Sequence, residues 1–175
     1  ADANQLLESI KGYQFKYASD IIPSDKKIQA EILYNKYDIF RNLFLYYFLA
    51  GLLFFVFIIL NIFSENKLIN NFMKYIFIFF RSSIVVLFTA HTFGLIARWY
   101  ISGHAPWGDA YESMIYVAWA TMGIGLLFIK KSDLTLASTS FVTSMILMIA
   151  HWNWMDPAIA NLQPVLDSYW LMIHV

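Results

Sequence analysis

From Leu43 to Phe63 the chain runs without a single charged residue, and no other feature restricts its fold so strongly. A hydrocarbon core of roughly 30 Å asks for about 20 apolar residues in a helix, each rising about 1.5 Å. Lipid offers no hydrogen bonds to the backbone, so a run of this kind crosses as a helix. The pattern recurs in weaker form further on. Tyr75–Ala97 lies between Lys74 and Arg98 and carries Arg81 and His91, with Arg81 near enough to the Lys74 end to snorkel toward that surface. Ala110–Ile129 is stopped by Lys130 and Lys131, Leu134–Ala150 sits at the short end of the spanning range, and a further helix starts around Asp167 or Ser168. The fold expected is all-α: a polytopic membrane helix bundle with four transmembrane spans, about 43–63, 75–97, 110–129 and 134–150, and the start of a fifth at 168–175.

Composition supports this reading. Of 175 residues, 59% are hydrophobic and 14% charged, where a soluble domain carries about a quarter charged. Twelve Lys and Arg against twelve Asp and Glu leave nothing to attract a nucleic acid. With no cysteine, disulfides, thiolate metal sites, thiol nucleophiles and covalent haem attachment to this chain are all excluded. Residues 1–42 read as an extracytoplasmic segment, polar at its start, with a turn at Ile22-Pro23-Ser24-Asp25 and then a short extramembrane helix bearing Ile28, Ile32 and Leu33. No signal peptide is recognisable in it. Ala at position 1 and the apolar stretch Leu171–Val175 at the other end suggest a piece of a longer polypeptide.

Basic residues in short loops are retained on the cytoplasmic side. Lys67 and Lys74, and then Lys130 and Lys131, therefore mark two cytoplasmic turns. The opposite loops, 98–109 and 151–167, contain Arg98 alone and should face the periplasm or outside, which fits a bacterial inner membrane. Five of the six tryptophans, Trp99, Trp107, Trp152, Trp154 and Trp170, fall on that outer side. An interfacial aromatic belt is one explanation, but a belt enriches both surfaces; an aromatic platform on one leaflet is the other. The histidines, His91, His104, His151 and His174, lie on the same half. No zinc spacing joins them. Each has an ordinary structural role open to it, as a hydrogen-bonded or anchoring side chain, yet neutral imidazoles also ligate haem iron, whose porphyrin takes aromatic walls.

The run Arg98-Trp99-Tyr100-Ile101-Ser102-Gly103-His104-Ala105-Pro106-Trp107-Gly108-Asp109 is broken by Gly103, Pro106 and Gly108 and should fold tightly against the membrane surface. Asp109 is placed to cap the next helix. Glu112, one turn deeper, points its carboxylate into the bundle, and Arg98 is its nearest partner by position.

This run, with Tyr111-Glu112-Ser113-Met114, Met155-Asp156-Pro157 and Ser168-Tyr169-Trp170-Leu171-Met172-Ile173-His174-Val175, closely resembles the CcsA-type haem-handling proteins. These belong to the system II cytochrome c synthases, and CcsBA is their fused bacterial form. The resemblance is most specific over 98–117 and 155–175, and residues 1–42 look like the end of the CcsB-like region. It implies a protein that carries haem b across the membrane and presents it outside for attachment of its vinyl groups to the CxxCH thiols of apocytochrome c. It also implies other partners: the remaining CcsB-like and CcsA-like parts, and membrane lipid. His174 matches the first of the family's two outer axial haem ligands. Trp107, Tyr169 and Trp170 would line the haem cavity, and Arg98 would meet a propionate. The family's tryptophan-rich WWD segment, its second outer histidine and its transmembrane haem histidines have no counterpart in these residues, so the chain alone should form no complete site and be inactive as a synthase. Three other readings stay open: a cytochrome b-like electron carrier using His91 and His151, a small-solute transporter, and a structural scaffold.

Overall fold

The structure is a computed structural model that describes residues 2–17, 19, 22–63, 67–152 and 155–159. Among them it is helical throughout, with no strand. Six helices follow in order: α1 (Ala3–Tyr17), α2 (Asp25–Tyr37), α3 (Ile39–Ile62), α4 (Lys67–Ser102), α5 (Ala110–Leu127) and α6 (Asp133–His151). Within 1–42, then, there are two helices, and α2 runs into α3 with only Asp38 between them. Asp38 has φ 40 and ψ 59, and its N–H donates to the Tyr34 carbonyl, the single-residue left-handed break that Asp tolerates better than most side chains. Asn42 Nδ2 donates to the Tyr37 carbonyl at 2.8 Å, closing the end of α2.

Helices α3, α4, α5 and α6 form the bundle. The approach of α3 to α6 is set by small residues. A Cβ at Gly51 would lie 2.8 Å from the Phe141 amide nitrogen and 3.0 Å from the Ala137 carbonyl, so only glycine allows the two backbones to meet there. One turn away, Ser140 Oγ donates to the Tyr47 carbonyl at 3.0 Å. Helix α5 packs back on α6 across the turn that follows Leu127, and Ser132 Oγ caps α6 by accepting from the Thr135 amide at 3.1 Å. The interior is apolar and close-packed, with Phe54, Ile84, Ile115, Met122 and Leu136 all fully buried. The outward faces are apolar too: Leu52, Phe55, Val56, Val86, Phe93, Val142 and Ile149 are exposed. A chain that is hydrophobic inside and out is built for lipid, and the molecule is a helical membrane bundle.

Three helical segments among the described residues are long and apolar enough to cross a membrane: Asp25–Ile62, Asn71–Ser102 and Asp133–His151. Helix α5 stands where the third span was expected but, at 18 residues with Glu112 in its first turn, is not one of these three. The expected fifth helix at 168–175 lies outside the described residues. Helix α4 is longer at both ends than the span 75–97. Lysines limit what enters lipid but do not end a helix, so α4 begins at Lys67. It ends where Gly103, at φ 80, turns left-handed and returns its N–H to the Trp99 carbonyl at 2.9 Å. Arg81, expected to snorkel, is held by a forked ion pair: its Nε and Nη2 donate to Asp133 at 2.6 and 2.9 Å.

Candidate functional site

One end of the bundle gathers the start of α3, the end of α4, the start of α5 and the end of α6. Asp38 and His151 mark its rim, with His151 Nε2 3.5 Å from Asp38 Oδ2. At its centre Arg98 is fully buried. The last turn of α4 delivers it beneath the 103–109 loop, and the first turn of α5 brings Glu112 to meet it. Arg98 Nε donates to Glu112 Oε1 at 2.7 Å. The second carboxylate oxygen of Glu112 accepts from the Gly108 amide at 2.7 Å. Asp109 Oδ1 accepts from the Glu112 amide at 2.6 Å, so Asp109 and Glu112 stand at N-cap and N3, the spacing of a capping box. Burial pushes the Asp109 carboxyl above its ordinary range, an effect that its backbone hydrogen bond and the Arg98 charge 3.7 Å away oppose.

The remaining Arg98 nitrogens face the segment after α6. Nη1 donates to the Pro157 carbonyl at 2.9 Å and Nη2 to the Ala158 carbonyl at 3.1 Å. That segment is itself turned by Asp156, whose Oδ1 accepts from the Ala158 amide at 2.9 Å. The Tyr111 ring lies under the guanidinium, 5.1 Å from Cζ to its centroid, close enough for a cation–π contact. A propionate reaching this guanidinium would have to displace Glu112 or a carbonyl. The Arg98–Glu112 pairing and the Asp109 cap expected from the sequence are both present.

Beside this knot, Trp107 begins a ladder of rings along α4 and α5. Trp107 meets Tyr116 edge-on at 5.6 Å, Tyr116 stacks on Trp119 at 5.7 Å and Trp119 stacks on Phe88 at 5.6 Å. Trp119 Nε1 donates to Thr92 Oγ1 at 2.9 Å, which leaves its ring free to pack. Leu95, Trp99, Pro106, Trp107 and Tyr116 line a shallow apolar groove of about 160 Å³ here. A second cavity of about 320 Å³, more polar, lies between Tyr34, Asp38, Tyr111, His151 and Asp156.

The histidines do not form one site among the described residues. His91 is fully buried and its Nε2 donates to the Ile115 carbonyl at 3.1 Å; Phe40 and Tyr47 flank its ring. His104 Nδ1 donates to the Ala105 carbonyl at 3.1 Å. His151 sits beside Asp38. No group of three metal-ligating side chains occurs among the described residues. His174, Tyr169 and Trp170 lie outside them. Sequence reasoning missed Tyr111 under the guanidinium and the carbonyls of Pro157 and Ala158. An aromatic one position before Glu112 was a weak signal for the first; a backbone acceptor has no side-chain signature at all.

No family model matches the chain. It is 38% identical over 171 residues to Protein NrfI of Wolinella succinogenes, a match that takes in 98% of this chain and 18% of that protein. It is 32% identical over 135 residues to the cytochrome c biogenesis protein CcsA of Lotus japonicus, covering 68% of this chain and 39% of that one. With CcsA of Solanum lycopersicum it shares 35% identity over 102 residues, 53% of this chain and 31% of the relative. The chain thus spans well under half the length of each of these relatives.

Proposed function

The chain is CcsA-type sequence, of the cytochrome c biogenesis family, over part of such a protein's length, and from that premise we propose that it helps hold haem b at the Arg98 end of the bundle for thioether attachment to apocytochrome c. Haem is the substrate. In this reading the full-length protein carries it across the membrane and presents it on the outer side of a bacterial inner membrane as a holocytochrome c synthase. The observation that carries the reading is local. The run 98–117, one of the two on which the family resemblance rests, supplies Arg98, Gly108, Asp109 and Glu112 to the buried knot and Trp99, Pro106, Trp107 and Tyr116 to the groove.

The roles follow from the chemistry. Joining each vinyl group to a CxxCH thiol adds S–H across a C=C bond, so a C–S and a C–H bond form and nothing leaves. Such a step needs two reactants held in register more than it needs an acid or base from the protein. His174 supplies an axial imidazole to the iron, which steadies the porphyrin plane and leaves its edge open to the partner thiols. Trp107, Tyr169 and Trp170 give the apolar ring its wall, and the groove beside Trp107 takes an edge of the macrocycle. Mutation of His174→Gly in the full-length protein tests this. Haem held on the outer side and synthase activity should fall at least tenfold and return when imidazole is added. Full activity without imidazole would remove His174 from the site.

A further inference from the structure

The geometry points to Arg98 as a positioning residue that ties the Trp107 loop to the segment leading toward His174, an inference that rests on the haem-holding function proposed above. Three links make the tie. The Gly108 amide, next to Trp107, donates to Glu112 Oε2 at 2.7 Å. Glu112 Oε1 accepts from Arg98 Nε at 2.7 Å. Arg98 Nη1 and Nη2 then hold two successive carbonyls, Pro157 and Ala158, at 2.9 and 3.1 Å. Holding one carbonyl would fix a point on the chain; holding two in sequence fixes its direction as well.

Only a guanidinium makes this set of contacts. Its planar fork presents donors on three sides at fixed angles, whereas a lysine offers one compact charge. Arg98 is fully buried and Glu112 is 2% exposed, so water does not compete for the donors and the directions are enforced. The Tyr111 ring closes the lower face of the guanidinium. Arg98 therefore acts on haem through the two segments it aligns and not by touching a propionate.

The test uses the full-length protein in a background without other cysteines, with spin labels on Ala110→Cys and Ala158→Cys, two exposed positions whose side chains have no partner to lose. Two variants are compared with the unsubstituted protein. Arg98→Lys keeps the charge and loses the fork; Arg98→Gln with Glu112→Gln leaves no buried charge unpaired. The inference expects a narrow 110–158 distance distribution in the parent, a clearly broadened one in a variant that accumulates in the membrane, and at least a fivefold loss of outer haem in that same variant. Haem loss with an unchanged distance would mean direct contact with the cargo and would overturn it. So would a broadened distance with haem retained, no change in either quantity, or failure of both variants to accumulate. Absence of haem from the parent, or indifference of that haem to His174→Gly, would instead sink the proposed function, while the distance distributions would still judge the tie.

Discussion

Glu112 commits both carboxylate oxygens, one to Arg98 and one to the Gly108 amide, and that decides what its substitution costs. Glu112→Ala leaves a fully buried guanidinium with only the part-exposed Asp109 carboxylate, 3.7 Å away, as its anion. Removing one partner of a buried ion pair costs about 3–5 kcal/mol, more than the pair itself contributes. Glu112→Ala should therefore sharply lower the thermal unfolding temperature of the detergent-solubilised protein, and Glu112→Gln should lower it less because an amide oxygen can still accept from Arg98 Nε. The double variant Arg98→Gln with Glu112→Gln should recover most of the loss; if it is as unstable as Glu112→Ala, the orphan-charge account is wrong. The pairing itself was legible in the sequence, since a carboxylate one turn inside a membrane helix needs a cation and Arg98 was the nearest. Its other acceptors were not, because any residue brings a carbonyl and only the fold decides which ones reach the guanidinium. The same limit hid Asp38: nothing in Tyr37-Asp38-Ile39 announces a left-handed residue between two helices.

The helices obey a similar division between what the sequence states and what packing adds. Runs of apolar residues bounded by lysines located the bundle helices, but lysines mark the edge of lipid and not the end of a helix, so α4 overran its expected span on both sides. Packing between helices follows from small residues whose partners cannot be read from one strand of sequence. Gly51 is the sharpest case, with Phe141 and Ala137 backbone within 2.8 and 3.0 Å of where its Cβ would be. Backbone cannot swing aside as a side chain can, so Gly51→Ala should separate α3 from α6 and cost about 1–3 kcal/mol, in the range of an overpacked core. Gly12 on α1, with nothing within 4 Å of a built Cβ, provides the control: Gly12→Ala should be neutral or slightly stabilising, because it lowers the entropy of the unfolded chain. Thermal melts of the two variants in one detergent check the contrast, and equal melts would mean that the close approach at Gly51 is not a stability determinant.

For the whole molecule, the two ends of the bundle differ in chemistry, and the difference carries the orientation. At one end Lys74, Lys130 and Lys131 are exposed, near the part-buried Arg81–Asp133 pair. At the other end Arg98 and Glu112 are buried, the exposed Arg41 stands beside Asp38, and Trp99 and Trp107 lie at the surface. Positive residues in short turns resist translocation, whereas a guanidinium already neutralised by Glu112 puts up less resistance. The Arg98 end should therefore be the one that faces away from the cytoplasm. Single cysteines test this in a background without others, since residues 1–175 contribute none. In intact cells a membrane-impermeant maleimide should label Ala158→Cys and leave Lys131→Cys unlabelled until the membrane is opened. The reverse pattern would put the Trp107 groove in the cytosol, where the thiols of an exported apocytochrome never meet it, and the proposed function would fall with the orientation.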